Sequence, residues 1–166
     1  MALRAFRLRS RMILAGVLAC VLCPAILPAQ NGAKASPKPA DDAFNDRVAT
    51  QLLNQIAEAL VSHNQRKMLG AFDIAKMTDG PLFRQQITSL FQQTGIIRVH
   101  FNLDQAATEE GKGMATADLE MEADLRDDSR PPIRKQARLR FVAEQSADGW
   151  KFTDVQPRAF FSTSQP

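Results

Sequence analysis

Residues Gly113–Asp128 read GMATADLEMEADLRDD, and in them Ala115, Ala117, Leu119, Met121, Ala123 and Leu125 alternate with Asp118, Glu120, Glu122, Asp124 and Arg126. An apolar residue at every second position is the period of a β-strand with one buried and one wet face. Upstream, Ile97, Val99, Phe101 and Leu103 alternate with Arg98, His100, Asn102 and Asp104. Downstream, Ala137, Leu139, Phe141 and Ala143 alternate with Gln136, Arg138, Arg140 and Glu144. Turns predicted at Glu109–Gly113 and Asp127–Pro132 fold the three segments into an antiparallel meander. If each hairpin folds about its turn centre, Glu120 and Glu122 lie between His100 and Arg98 on one side and Arg140 and Arg138 on the other. Opposite charges facing across strands stabilise a register by ~0.2–1 kcal/mol per pair. A further turn at Ala147-Asp148-Gly149 introduces a fourth strand with Trp150, Phe152 and Val155, which Pro157 ends.

The segment before the sheet has helical periodicity. Phe44, Val48, Leu52, Ile56 and Leu60 recur every four residues, Ala49 and Leu53 widen the stripe, and Asp41 and Asp42 are placed to cap the N-terminus. Ser62-His63-Asn64 interrupts this helix before a short second one, Gln65–Phe72. Asp79-Gly80-Pro81 opens a third that runs through Gln93, with Asp79 as its cap and Gly95 as its stop. The expected class is α+β: a curved antiparallel sheet of three to four long strands wrapped around N-terminal helices.

Charge and composition narrow the chemistry. The formal charge is +3 and the pI 9.1, yet Arg4, Arg7, Arg9 and Arg11 supply the excess; without them 17 basic residues face 18 acidic ones. No basic stripe remains to neutralise phosphates, so nucleic acid is not an expected partner. The four arginines precede the apolar run Met12–Pro28 and a small-residue exit at Ala29-Gln30, the order of a secretory signal peptide. The expected organisation is a signal peptide over 1–29, a flexible Pro/Lys/Ser-rich linker over 30–40, a domain over 41–157 and a C-terminal tail over 158–166. Ala159-Phe160-Phe161 makes that tail apolar enough to dock. The expected product is exported, periplasmic or secreted; a membrane tie would need an uncleaved Met12–Pro28 or an acylated Cys20 in Val17-Leu18-Ala19-Cys20. Both cysteines, Cys20 and Cys23, lie in the leader, so the mature domain has no disulfide and no thiol chemistry. No metal is expected from two isolated histidines, and no cofactor, because no phosphate loop or serine elbow is present. Asp124, Asp127 and Asp128 lack the spacing of a calcium loop and read as a solvated turn.

The remaining candidates are few. His63, at a helix break, could face a pocket with Asp73 or Asp79 as carboxylate partner; the plainer readings are a solvated helix end, a loop and a cap. His100 lies on the charged face and reads as a cross-strand partner of Glu120 or Glu122. Phe72, Phe83, Phe101, Leu119, Met121, Phe141 and Trp150 all point inward, where they could line a ligand pocket or fill the core.

The order of helix, short helix, helix and long antiparallel strands, the segment Leu60–Phe72 (LVSHNQRKMLGAF) and Asp148-Gly149-Trp150-Lys151-Phe152 resemble the nuclear-transport-factor-2-like, or cystatin-like, α+β cone superfamily, its polyketide-cyclase-like branch included. The likeness covers about Asp41–Pro157. It implies a sheet curved round a long helix, with an apolar pocket at the open end of the cone. Members include isomerases, cyclase-like enzymes, dehydratases, ligand carriers and dimerisation modules, so fold does not fix function. Isomerase-like members resemble one another in pairing a carboxylate base with a tyrosine oxyanion donor, and this chain contains no tyrosine. Cyclase-like members use an Asp and a His. The expectation is an exported non-catalytic domain that binds a small apolar ligand or a protein partner, with homodimerisation through the sheet. The alternative is an isomerase- or cyclase-like enzyme with a His-Asp pair in the cone pocket.

Overall fold

Helix α1 (Asp46–Val61) begins where Asn45, in extended backbone, accepts a hydrogen bond from the Val48 N–H at 3.1 Å. Asn45 therefore caps the helix, and the start falls one turn later than a cap at Asp41 or Asp42 would place it. The computed structural model describes residues 43–127 and 129–163. The expected signal peptide and linker, with Asp41, Asp42, Asp128 and the last three residues of the expected tail, lie outside the described residues. Phe44, now ahead of the helix, lies flat over Gly113, where a Cβ would come within 2.3 Å of its ring. Only glycine admits this contact.

Asn64 caps the short α2 (Gln65–Gly70) by accepting from the Lys67 N–H at 2.9 Å. Helix α3 (Gly80–Gln93) has Asp79 at its cap position and Pro81 in its first turn. The expected Asp79 capping bond is not made. A capping side chain needs extended backbone, and Asp79 is left-handed at φ 56°, ψ 34°. Gly80 is fixed by close approach, since a Cβ there would meet the Ile74 carbonyl oxygen at 2.1 Å. Gly95 does not stop α3 either. Thr94 is the C-cap, its Oγ1 donating to the Leu90 carbonyl at 2.7 Å, and the chain passes directly into the sheet.

The sheet is a curved, unclosed antiparallel meander in the order β1-β2-β3-β4, with β1 Thr94–Glu109, β2 Lys112–Leu125, β3 Ile133–Ser146 and β4 Gly149–Gln156. All six apolar alternates of β2 are buried. The β1–β2 register sets His100 opposite Glu120 and Arg98 opposite Glu122, the pairing its charges select. The β2–β3 register corrects the sequence reading: Glu120 faces Gln136 and Glu122 faces Arg134, while Asp118 takes Arg138. The cause lies in the turn. Ile133, directly after Pro131-Pro132, is buried opposite Ala123, so the connection is long, its centre lies two residues before the charge-based one, and every β3 partner shifts by four. An even slip leaves every side chain on its expected face, which is why the face assignment survives the error.

The helices cover the concave face. Phe72 packs on Phe83 and Phe152, Phe141 on Phe152, and Phe161 on Phe83, with ring centroids 4.7–6.1 Å apart. Phe160 and Phe161 are buried in a 3₁₀ turn, Arg158–Phe161, that closes one side of the core. Among the described residues no helix is long and apolar enough to cross a membrane.

Candidate functional site at the mouth of the cone

The chain leaving α2 is pinned along the free edge of β4. The Phe152 N–H donates to the Ala71 carbonyl at 2.9 Å, and the Asp73 N–H donates to the Phe152 carbonyl at 2.8 Å. Pinning holds α2 away from the β3–β4 turn and leaves a cleft of about 860 Å³ between them. Its apolar lining is Leu69, Phe72 and Ile74; its polar rim includes Arg66, Asp73 and Arg84. A second cleft of about 340 Å³ lies against α1, where Val48, Leu52 and Trp150 line it together with Gln51, Gln55, Gln145, Asp148 and Lys151. The two share Gly70, Asp148 and Lys151.

Local chemistry fixes the walls. Gln55 Nε2 donates to the Lys67 carbonyl at 3.1 Å, tying α1 to α2, and Gln65 Nε2 donates to Thr88 Oγ1 at 2.7 Å, tying α2 to α3. The β3–β4 turn is closed by Ser146 Oγ donating to the Gly149 carbonyl at 3.0 Å, and by Lys151 and Asp148 pairing at 3.3 Å. Trp150 meets Phe44 edge-on at 5.2 Å, so its indole is held rather than swinging free. Clefts of about 300–1,000 Å³ are the usual size for small ligands; in both of these, polar side chains outnumber the apolar ones.

Of the residues expected to line a pocket, Phe72 and Trp150 reach these clefts. Phe83, Leu119 and Phe141 are enclosed in the packed core, and Met121 is buried behind β2. Phe101 is half-buried on β1. The histidine and carboxylates are divided. His63 is half-buried, its ring 5.4 Å from that of Phe91 and its Nε2 3.4 Å from Thr94 Oγ1. That is the C-terminal end of α3. Asp79 starts the same helix, and Asp73 sits beside Phe152, next to the Phe72–Phe83 contact in the first turn. A 14-residue helix is roughly 21 Å long at about 1.5 Å per residue. The imidazole and the carboxylates therefore occupy opposite ends of α3.

The convex face is organised differently. Glu122 accepts from Arg98 at 3.3 Å and Arg134 at 3.0 Å, Gln136 donates to Glu120 at 3.0 Å, and Arg138 reaches Asp104 at 2.6 Å and Asp118 at 3.6 Å. A groove of about 430 Å³ is lined by Arg98 and Arg134, both paired with Glu122, by Gln136 paired with Glu120, and by Val99, His100, Met121 and Lys135. At the other end of β3, hydrogen bonds from Lys76 and then Lys112 hold the Glu144 carboxyl below the usual carboxylate range. Among the described residues no group of three or more His, Cys, Asp or Glu is gathered to hold a metal.

One half-buried residue escaped the sequence reading. Lys135 shares the inward parity of Ala137 and Leu139, and its ammonium donates to the Ala159 and Ser162 carbonyls at 2.9 and 2.6 Å. Burial lowers its pKa. The available signal was a cation in phase with the buried set, ahead of an apolar tail whose carbonyls it could satisfy.

No family model matches the sequence, and no curated protein matches it. Solved structures do. A protein from Novosphingobium aromaticivorans provisionally assigned as an aromatic ring hydroxylase is 18% identical, with 71% of this chain and 88% of that one covered at a TM-score of 0.57. A nuclear transport factor 2-like superfamily protein from Salmonella enterica serovar Typhimurium is 13% identical, covering 66% and 86% at 0.56. A provisional dehydratase of the same superfamily from Streptomyces avermitilis is 9% identical, covering 64% and 89% at 0.53. The chain has the nuclear-transport-factor-2-like fold.

Proposed function

We propose that this is an exported, non-catalytic domain that holds a small apolar ligand in the clefts beside the β3–β4 turn. The observation that carries the reading is the pair of neighbouring clefts beside the β3–β4 turn, which share Gly70, Asp148 and Lys151 and place Leu69, Phe72 and Ile74 in one and Val48, Leu52 and Trp150 in the other among polar side chains. Export is supported by the order of Arg4–Arg11, Met12–Pro28 and Ala29-Gln30. The similar structures include provisionally assigned enzymes, and an enzymatic reading would use His63 with Asp73 or Asp79. Acid–base partners must meet a substrate within hydrogen-bond reach, whereas α3 separates these groups by its length, which favours carriage over catalysis.

Native mass spectrometry of the protein recovered from the exported fraction tests this. The wild type should carry an extractable apolar adduct, and Gly70→Gln should lose it while keeping the far-UV spectrum. Its nearest neighbour to an added Cβ is Gln55 Nε2 at an ordinary 3.5 Å. An adduct-free wild type that also takes up no apolar probe would sink the carrier reading. The same spectrum reads the N-terminus: a chain starting at Gln30 is expected, and an acylated Cys20 would instead tie the domain to a membrane.

A further inference from the structure

The larger cleft beside the β3–β4 turn combines two chemistries in one space. Leu69, Phe72 and Ile74 give it an apolar part, and Arg66, Asp73 and Arg84 stand among the polar groups that line the rest. Its charges are not balanced. Lys151 and Asp148 pair with each other at 3.3 Å, but among the described residues neither Arg66 nor Arg84 has an ion pair or a side-chain hydrogen bond. Asp73 is the one unpaired acid of the lining, so two guanidinium groups face a single carboxylate. The two arginines come from different helices yet share a neighbourhood. Gln65, next to Arg66, donates through Nε2 to Thr88 Oγ1 at 2.7 Å, and Thr88 Oγ1 donates to the Arg84 carbonyl at 2.8 Å. This chain of bonds ties the start of α2 to the backbone of Arg84. Two like charges held on one rim repel each other, and an anion placed with them relieves that repulsion.

We propose that the ligand of this cleft is an amphiphile with an anionic head: a carboxylate that accepts hydrogen bonds from Arg66 and Arg84, on a hydrocarbon chain that covers Leu69, Phe72 and Ile74. The proposal rests on the carriage reading above and adds the charge that the carried molecule must bear. A guanidinium is planar and forked, and it matches a carboxylate with two parallel hydrogen bonds. A neutral hydrocarbon of the same length would strip water from the polar majority of the lining without replacing its hydrogen bonds. A cationic head would meet Arg66 and Arg84 with their own sign.

Titration calorimetry of the full chain with dodecanoate, dodecanol, dodecyltrimethylammonium and acetate, each below its micelle concentration, tests this. Dodecanoate should bind most tightly, dodecanol more weakly, and the other two least. Arg66→Gln and Arg84→Gln should each weaken dodecanoate by up to about fivefold, the upper range for an exposed ion pair, and leave dodecanol unchanged. Both positions are exposed, so neither variant removes a packed side chain. High salt should shrink the preference for dodecanoate. Equal affinities for dodecanoate and dodecanol, or a double variant that holds dodecanoate as tightly as the wild type, would overturn the anionic head and leave apolar carriage standing. Acetate bound as tightly as dodecanoate would reduce the site to one for simple anions and overturn the amphiphile. A protein that binds none of the chains would overturn both the head group and the carriage reading.

Discussion

The concave and convex faces of this sheet are built from the same strands and held by different forces. On the concave face Phe83, Phe141, Phe152 and Phe161 are fully enclosed, and burying such side chains stabilises by ~1.5–3 kcal/mol each. On the convex face the ion pairs of Arg98, Glu122, Arg134 and Arg138 leave much of each side chain in water, where an exposed pair is worth about 0–1 kcal/mol. One face supplies stability; the other contributes little to it, and its charges match the strand register in β1–β2 but do not set it in β2–β3. The clefts lie at neither, but at the rim where α2 and the β3–β4 turn stand apart.

The contrast can be broken most sharply at Phe141. Replacing it with alanine should cost ~3–5 kcal/mol, read as a lower urea midpoint with an unchanged slope. Gly113→Ala comes next, because the Cβ would collide with the Phe44 ring; overpacking of this kind costs ~1–3 kcal/mol. Since Phe44 supports Trp150, its displacement should also shift tryptophan emission, which a change elsewhere in the core would leave alone.

Acid probes the rim pairs more gently. Burial opposes ionisation of Asp154, but hydrogen bonds from Arg158, Gln156 and the Val155 N–H outweigh it and leave the pKa lowered. Glu144 is lowered too, by Lys76 and Lys112. A carboxylate with a depressed folded pKa stabilises above its unfolded value, about 4, and loses that contribution as pH falls through the folded value. Thermal melts should therefore weaken below about pH 4, and Asp154→Asn should flatten the decline. The smallest effect belongs to Glu122→Gln, which removes two convex-face pairs yet should cost under ~1 kcal/mol, a difference that high salt erases.

These magnitudes also explain what was legible in the sequence. Alternation in Gly113–Asp128 gave both faces of β2 correctly, because burial of Leu119 and Met121 is a strong, periodic signal. The β2–β3 pairing was misread because it was inferred from charges worth little each, while Ile133 behind Pro131-Pro132 set the register through burial. Asn45 was overlooked as a cap beside the more acidic Asp41 and Asp42, though any side-chain oxygen in extended backbone can serve. The inward residues were recognisable, but parity cannot separate Phe141, sealed in the core, from Phe72 and Trp150, which reach the clefts. That distinction depends on where α2 is pinned to Phe152, a contact between segments far apart in sequence. The separation of His63 from Asp73 and Asp79 was hidden for the same reason.

Trp150 is the only tryptophan in the chain and stands in the smaller cleft, so energy transfer from it to the apolar probe N-phenylnaphthylamine reports binding at the mouth directly. Saturable transfer, competed away by the extracted apolar ligand and lost in Gly70→Gln, is the expected result. Transfer that fails to saturate, or that persists unchanged when Gly70 is replaced, would contradict a ligand site between α2 and the β3–β4 turn.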